Sequence, residues 1–313
     1  MMHGIMFHHF HDENKHIKCQ GSLNAQELEE LLDFYQNRYK LISAQEFREK
    51  VLRNELDCNE ACLTFDDTLK CQYDIAYPVL KARGLTAFWF VNTLPLEGGV
   101  SALELYHHFR FKMFYNVDEF YETFFECVQE LQKDLQIDYK KSIDNFDYNS
   151  YKKNATFYTY NDKKFRYIRD VILKGESYDK IMNIMMERKG YDAHKVVNDL
   201  WISVDDVKKL YGEDHIIGLH SHSHPTMLSA LSYDEQLNEF KKNKEILFSY
   251  NISADAASYP CNDYNNDTLL IMNKLDIKIG FRANMQMLGS NTLEMPRENH
   301  TYIIDRMKHK ESG

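Results

Sequence analysis

The stretch GLHSHSHPTM, residues 218–227, sets His220, His222 and His224 at alternate positions between an apolar run and a proline. Two imidazoles and one carboxylate form the ligand set of a catalytic zinc-type site, in which a fourth position stays open for water. A wet surface loop or the polar face of a strand would also account for such a cluster. As a helical turn, the stretch points His220 and His224 the same way, and as a strand it puts all three on one face; either lets two of them chelate. The deciding group is a carboxylate from elsewhere. Asp66 and Asp67 close the apolar run ACLTFDD (61–67), where an acidic pair serves equally as a turn or a helix N-cap. If one of them joins the histidines, the other is placed to take a proton from a water whose pKa the metal lowers, which is hydrolytic chemistry.

Such groups need elements that bring them to one place. Short β-rich runs alternate with helical patterns: GIMFHHF (4–10), YKLIS (39–43), ACLTFDD (61–67), LTAFWFVN (85–92), HIIGLHS (215–221), AASYPC (256–261) and IKIGFRAN (277–284), with TYIID (301–305) as an eighth. This alternation predicts βα units on a parallel sheet, supported by helix starts at Asn24 with Glu27, Ser43 with Glu46 and Ser232 with Glu235, each spaced as a capping box. From residue 97 to 200 the pattern turns to long amphipathic segments such as VDEFYETFFECVQELQKDL and shows no strand. The expectation is therefore an α/β protein, a distorted (β/α)7-type barrel spanning residues 1–313 as one domain, with a helical insertion at 97–200. In a parallel barrel all strand C-termini lie on one face, where sites are built, so Asp66 and Asp67, His220 and His224, His8, and Tyr259, Pro260 and Cys261 converge. The insertion leaves after the LTAFWFVN strand, and residues 106–191 are expected to shape the substrate pocket.

Composition narrows the function classes. A chain of 313 residues with 43% hydrophobic and 27% charged residues folds as a globular body, and a net charge of −10 without a long basic run argues against nucleic acid. Six cysteines without repeated CxxC spacing are expected to be reduced. The start MMHGIMFHHFHDENK lacks a basic leader and a long apolar core, and no eighteen apolar residues run together, so neither a signal peptide nor a transmembrane segment is expected and a cytoplasmic location follows.

Thr64-Phe65-Asp66-Asp67 followed by His220-Ser221-His222-Ser223-His224 resembles the first two motifs of the polysaccharide deacetylases, the NodB-homology or carbohydrate esterase 4 family, TFDD and H-[S/T]-x-x-H. The resemblance implies that Asp66 is the general base, that Asp67, His220 and His224 hold a divalent metal, with Zn2+ expected and Co2+ or Ni2+ suited to the same groups, and that His222 is a bystander. The family's third motif, R-x-P-[Y/F], survives only as SYPC: Ser258 stands where the arginine would be and Cys261 where the aromatic would be, although its backbone N–H can still serve an oxyanion. Arg297, in EMPRENH, is the candidate to orient Asp66 instead. The C-terminal L-x-x-H motif is also missing. IMFH (5–8) resembles the N-terminal L-x-Y-H of the permuted branch of poly-N-acetylglucosamine deacetylases, which makes His8 the implied general acid, with His300 as the fallback. The function implied is removal of an N-acetyl group from an amino sugar of a polysaccharide, glycolipid or sugar-carrier precursor. Hydrolysis of a formamide or cyclic imide, and a glycan-binding protein that has lost turnover, are the alternatives.

Overall fold

The computed structural model describes residues 3–151, 153, 158–286 and 291–311. Eight strands occur among them: β1 (His3–Phe7), β2 (Lys40–Leu41), β3 (Glu60–Phe65), β4 (Ala87–Val91), β5 (Ile216–Leu219), β6 (Ala256–Ser258), β7 (Ile279–Phe281) and β8 (Arg297–Asn299). The helices are α1 (Ala25–Gln36), α2 (Ala44–Arg53), α3 (Tyr77–Ala82), α4 (Ala102–Met113), α5 (Val117–Glu130), α6 (Tyr139–Asp144), α7 (Tyr160–Tyr167), α8 (Lys174–Arg188), α9 (Ala193–Leu200), α10 (Val204–Gly212), α11 (Tyr233–Ser249), α12 (Asn266–Lys274) and α13 (His300–Glu311).

The chain divides into two compact units, residues 1–101 with 199–313, and residues 102–198. In the first, the strands run in the order β7-β6-β5-β4-β3-β1-β8, with β2 beside the start of β3, and every pairing is parallel. A bridge between Phe281 and Met295 joins β7 to the residues leading into β8, so the sheet is a nearly closed barrel surrounded by helices. The barrel expected from the sequence is what forms. One strand was expected in the wrong place: TYIID lies inside α13, and the last strand is the preceding Arg297–Asn299. Three residues after Pro296 give too little pattern to detect, and Tyr302, which the helix exposes, would have had to be buried in a barrel strand.

The strands are apolar through most of their length because both faces are covered. On one face Phe7, Phe65 and Trp89 stack in turn, with ring centroids 5.3 Å and 4.4 Å apart. Cys62, Phe88, Phe90, Ala256 and Phe281 pack with Phe47 of α2. Gly218 is demanded by this crowding, since a Cβ there would sit 2.6 Å from the ring of Phe90. Asn24 and Ser232 form full capping boxes with Glu27 and Glu235, whereas Ser43 only accepts from the Glu46 amide. Among the described residues no two cysteines are joined in a disulfide.

The second unit is helical throughout its described residues and has its own core, in which Phe120, Phe124, Phe165, Ile181, Met182 and Met185 are buried. Within it Thr159 caps α7 in a capping box with Asp162, which also accepts a hydrogen bond from the buried Tyr121 hydroxyl.

Candidate active site

Every polar group singled out at a strand end belongs to the barrel unit. Asp66 and Asp67 follow β3, His220 follows β5, Ser258 ends β6, His8 follows β1 and Arg297 opens β8. After β3 the backbone turns through left-handed conformations at Asp67 (φ 76°) and Thr68 (φ 61°), which aims consecutive aspartates in different directions. Ser221 (φ 59°) and His224 (φ 58°) do the same for the histidine loop.

Asp67 Oδ1 lies 3.2 Å from His220 Nε2 and 3.1 Å from His224 Nε2. Ligand atoms about 2.0–2.2 Å from a tetrahedral ion are themselves roughly 3.3–3.6 Å apart, close to these two distances, and ligand atoms of the three residues all lie within 4.8 Å of one another. One orphan fits the same interpretation: Asp67 Oδ1 is buried and has no hydrogen-bond partner of normal geometry among the described residues. The donor set is one carboxylate oxygen and two imidazole nitrogens, which can hold a divalent transition ion. Burial pushes the Asp67 carboxyl up, but His224 and His220 beside it outweigh burial and hold it well below the usual carboxylate range. Burial pushes His224 down, and Asp67 more than reverses this.

The histidine loop rests on α11. His220 N–H donates to Asn243 Oδ1 at 3.1 Å, the Asn243 amide donates to the carbonyl of Val91, and Glu239 accepts from the backbone N–H groups of His222 (3.0 Å) and Ser223 (2.8 Å). His222 turns away from Asp67, its Nδ1 3.0 Å from Thr93 Oγ1. Asn243 is fully buried on the same helix face as Phe240 and Leu247. A buried amide among apolar neighbours at helical spacing is the one sequence signal that could have found this support.

Asp66 takes a different environment. Arg297 reaches across the barrel interior and donates from both terminal nitrogens, 2.6 Å to Oδ1 and 2.7 Å to Oδ2, a bidentate pair. Its Nε donates to the Arg282 carbonyl at 3.0 Å, Nη1, the nitrogen that reaches Oδ1, also meets Thr64 Oγ1 at 3.3 Å, and only 1% of the residue is exposed. Its stem passes over Gly4, where a Cβ would lie 3.3 Å from Arg297 Cγ and 3.0 Å from Thr64 Cγ2. Burial pushes the Asp66 carboxyl up, and Arg297, then His220 and His8, bring it below the ordinary value. Both aspartates are thus ionised at neutral pH, one clamped by an arginine and one facing imidazoles.

His8 Nε2 sits 3.8 Å from Asp67 Oδ2, its side chain 30% exposed. The barrel atoms around the ring lower its pKa, and Asp67 and Asp66 offset this only in part. His300 is elsewhere: Nδ1 lies 3.1 Å from the Met6 carbonyl and Nε2 2.7 Å from that of Gly21, and its ring stacks on Phe7. Of the SYPC residues, Tyr259 points its hydroxyl to the Leu293 carbonyl (2.7 Å) in the interior, Pro260 is buried and Cys261 is exposed in a left-handed turn (φ 55°). The Tyr259 side chain therefore packs against the barrel and does not face the aspartates.

Among curated proteins none matches this sequence. A family model described as polysaccharide deacetylase matches residues 149–280, a stretch that holds His220–His224 and Ser258–Cys261. Solved structures resemble nearly the whole chain. The Streptococcus pyogenes deacetylase PplD in complex with acetate is 18% identical at a TM-score of 0.55, covering 98% of this chain and 97% of that one. IcaB from Ammonifex degensii is 12% identical at 0.55, covering 95% and 91%, and a de-N-acetylase from Aggregatibacter actinomycetemcomitans is 10% identical at 0.57, covering 97% and 98%. With the strand-end motifs Thr64–Asp67 and His220–His224 assembled on one rim of such a barrel, the chain is similar to polysaccharide deacetylases over residues 149–280 and in its fold.

Proposed function

We propose that this protein is a metal-dependent hydrolase that removes an N-acetyl group from an amino sugar. The observation that carries this reading is the convergence of Asp67 Oδ1, His220 Nε2 and His224 Nε2, within 3.2 Å of the shared carboxylate oxygen, next to an aspartate held by Arg297. A divalent ion held by these three residues would polarise the amide carbonyl and lower the pKa of water, and Zn2+ is the ion expected, with Co2+ or Ni2+ as substitutes.

The remaining chemistry falls to the chain itself. Asp66 is an ionised carboxylate whose two oxygens are fixed by Arg297, so it is oriented to accept the proton of the attacking water. The same guanidinium makes it a weaker base than a free carboxylate; position, more than basicity, is its contribution. His8 stands on the opposite side of Asp67 and gives a proton to the departing amine, which leaves poorly as an anion. Its lowered pKa makes the protonated ring a stronger acid. The N–H of Cys261 is the donor proposed for the oxyanion, with Tyr259 and Pro260 shaping the turn that presents it.

The arginine missing from the third motif would favour a glycan-binding protein without turnover. Arg297 performs the contact that this arginine would make with Asp66, which supports an active enzyme. The test is acetate release from a panel of N-acetylated free, nucleotide-linked, lipid-linked and polymeric sugars, with and without added metal. Metal-dependent acetate release is expected. Bound metal with no acetate from any sugar would favour the binding protein, and turnover of a formamide or cyclic imide alone would move the activity to another C–N bond.

A further inference from the structure

Ser258 occupies the third-motif position where an arginine is absent, and its surroundings give it a task of its own. It is fully buried at the end of β6, where a hydroxyl must find partners. Its Oγ is 2.7 Å from His220 Nδ1 and 3.3 Å from Asp66 Oδ1, and its own carbonyl is 3.1 Å from the same Nδ1. These three contacts fix where the protons are. A carbonyl oxygen only accepts, so Nδ1 carries the hydrogen and Nε2 keeps its lone pair, directed toward Asp67. An ionised carboxylate also only accepts. The hydroxyl therefore receives from His220 and donates to Asp66.

We propose that Ser258 is a positioning residue that ties the tautomer of His220 to the orientation of Asp66, a proposal that rests on the metal-dependent reading above. The residue is small for a physical reason. Arg297 already fills the barrel interior beside Asp66, and a second guanidinium from β6 would place like charges side by side, whereas a hydroxyl supplies the missing hydrogen bond in the space left.

The experiment compares Ser258→Ala and Ser258→Cys with the wild-type 313-residue chain by Co2+ titration, following affinity and the visible spectrum, and by steady-state acetate release. Cysteine keeps a side chain of similar size but bonds weakly, so it covers the case in which the alanine protein fails to fold. Partners behind a metal-binding histidine typically contribute 10–100-fold in affinity, and the carbonyl of residue 258 persists in both variants, so the Co2+ Kd should rise about tenfold. The kcat should fall about tenfold while KM stays, because Asp66 loses a tether and the substrate loses nothing. An unchanged Co2+ Kd in both variants overturns the proposal whatever the activity. A raised Kd with wild-type kcat overturns the tie to Asp66. A wild-type protein that binds Co2+ but releases no acetate refutes the deacetylase reading, and the Kd shift then still supports the contact with His220.

Discussion

At the scale of residues, the site separates two adjacent aspartates by what surrounds them. Asp66 is a clamped carboxylate and Asp67 a carboxylate whose Oδ1 meets only imidazoles, so their loss should have different signatures. Asp66→Asn should retain about one metal ion per chain and lose turnover by roughly two to four orders of magnitude, the usual worth of a positioned acid or base. Asp67→Asn, His220→Ala and His224→Ala should instead strip the ion, while His222→Ala should not, since His222 faces Thr93. Metal analysis beside acetate release checks all four; retained metal in His220→Ala would sink the ligand assignment. His8→Ala should leave folding and metal content intact and depress kcat on an N-acetyl sugar far more than on an activated substrate whose leaving group needs no proton. Equal losses on both would remove His8 from proton delivery. His300 is an unsuitable replacement, because both its nitrogens are engaged by backbone carbonyls.

At the scale of elements, the strands that carry the site are held by polar contacts at their other ends as well. His215, just before β5, is 3% exposed and accepts at Nδ1 from the backbone N–H of Ala87 (3.0 Å) and from the indole of Trp89 (3.1 Å), pinning β5 to β4. These bonds require a neutral ring. Burial lowers its pKa from 6.5 to about 4, so the unfolded chain takes up a proton that the folded one refuses. Stability from this residue is complete above pH 6.5 and is lost as pH falls toward about 4, by an amount of up to roughly 3 kcal/mol. Urea unfolding at pH 7 and pH 4.5 should show the loss. His215→Asn, whose amide oxygen can accept without titrating, should be less stable at pH 7 but show a shallower decline; an unchanged slope would place the acid sensitivity elsewhere.

For the whole molecule, the division into two units has a consequence for function. The side chains proposed to bind metal and move protons all lie in residues 1–101 and 199–313, and the chain re-enters this unit by pairing Trp201 with Leu69 directly after the aspartates. The unit 102–198 has its own buried aromatic core. Replacing 102–198 by a short flexible linker should therefore preserve stoichiometric Co2+ binding. We expect activity on a small activated substrate to persist and activity on N-acetylated glycan to fall at least tenfold, in keeping with the proposed role of residues 106–191 in substrate selection. Loss of metal binding in a folded variant would show that the second unit supports the site itself. Full glycan activity would remove its role in selection.

The sequence by itself determined the barrel and the sites where its chemistry was to be sought. Runs such as ACLTFDD and LTAFWFVN are apolar enough to be buried on both faces, and parallel connection sends all their C-termini to one rim, so Asp66, Asp67, His220 and His224 were legible without coordinates. Short elements were not. β8 has three residues and no pattern of its own, and it is a strand only because β1 on one side and the residues after β7 on the other supply its hydrogen-bond partners. The positions of side chains that cross the interior were equally hidden. Arg297 meets Asp66 from 231 residues away, Ser258 meets it from 192, and Tyr259, expected with the strand-end groups, turns its hydroxyl to the Leu293 carbonyl instead. Spacing along a chain sets which face a residue shares with its near neighbours; only closure of the barrel decides which distant donor reaches a buried carboxylate first.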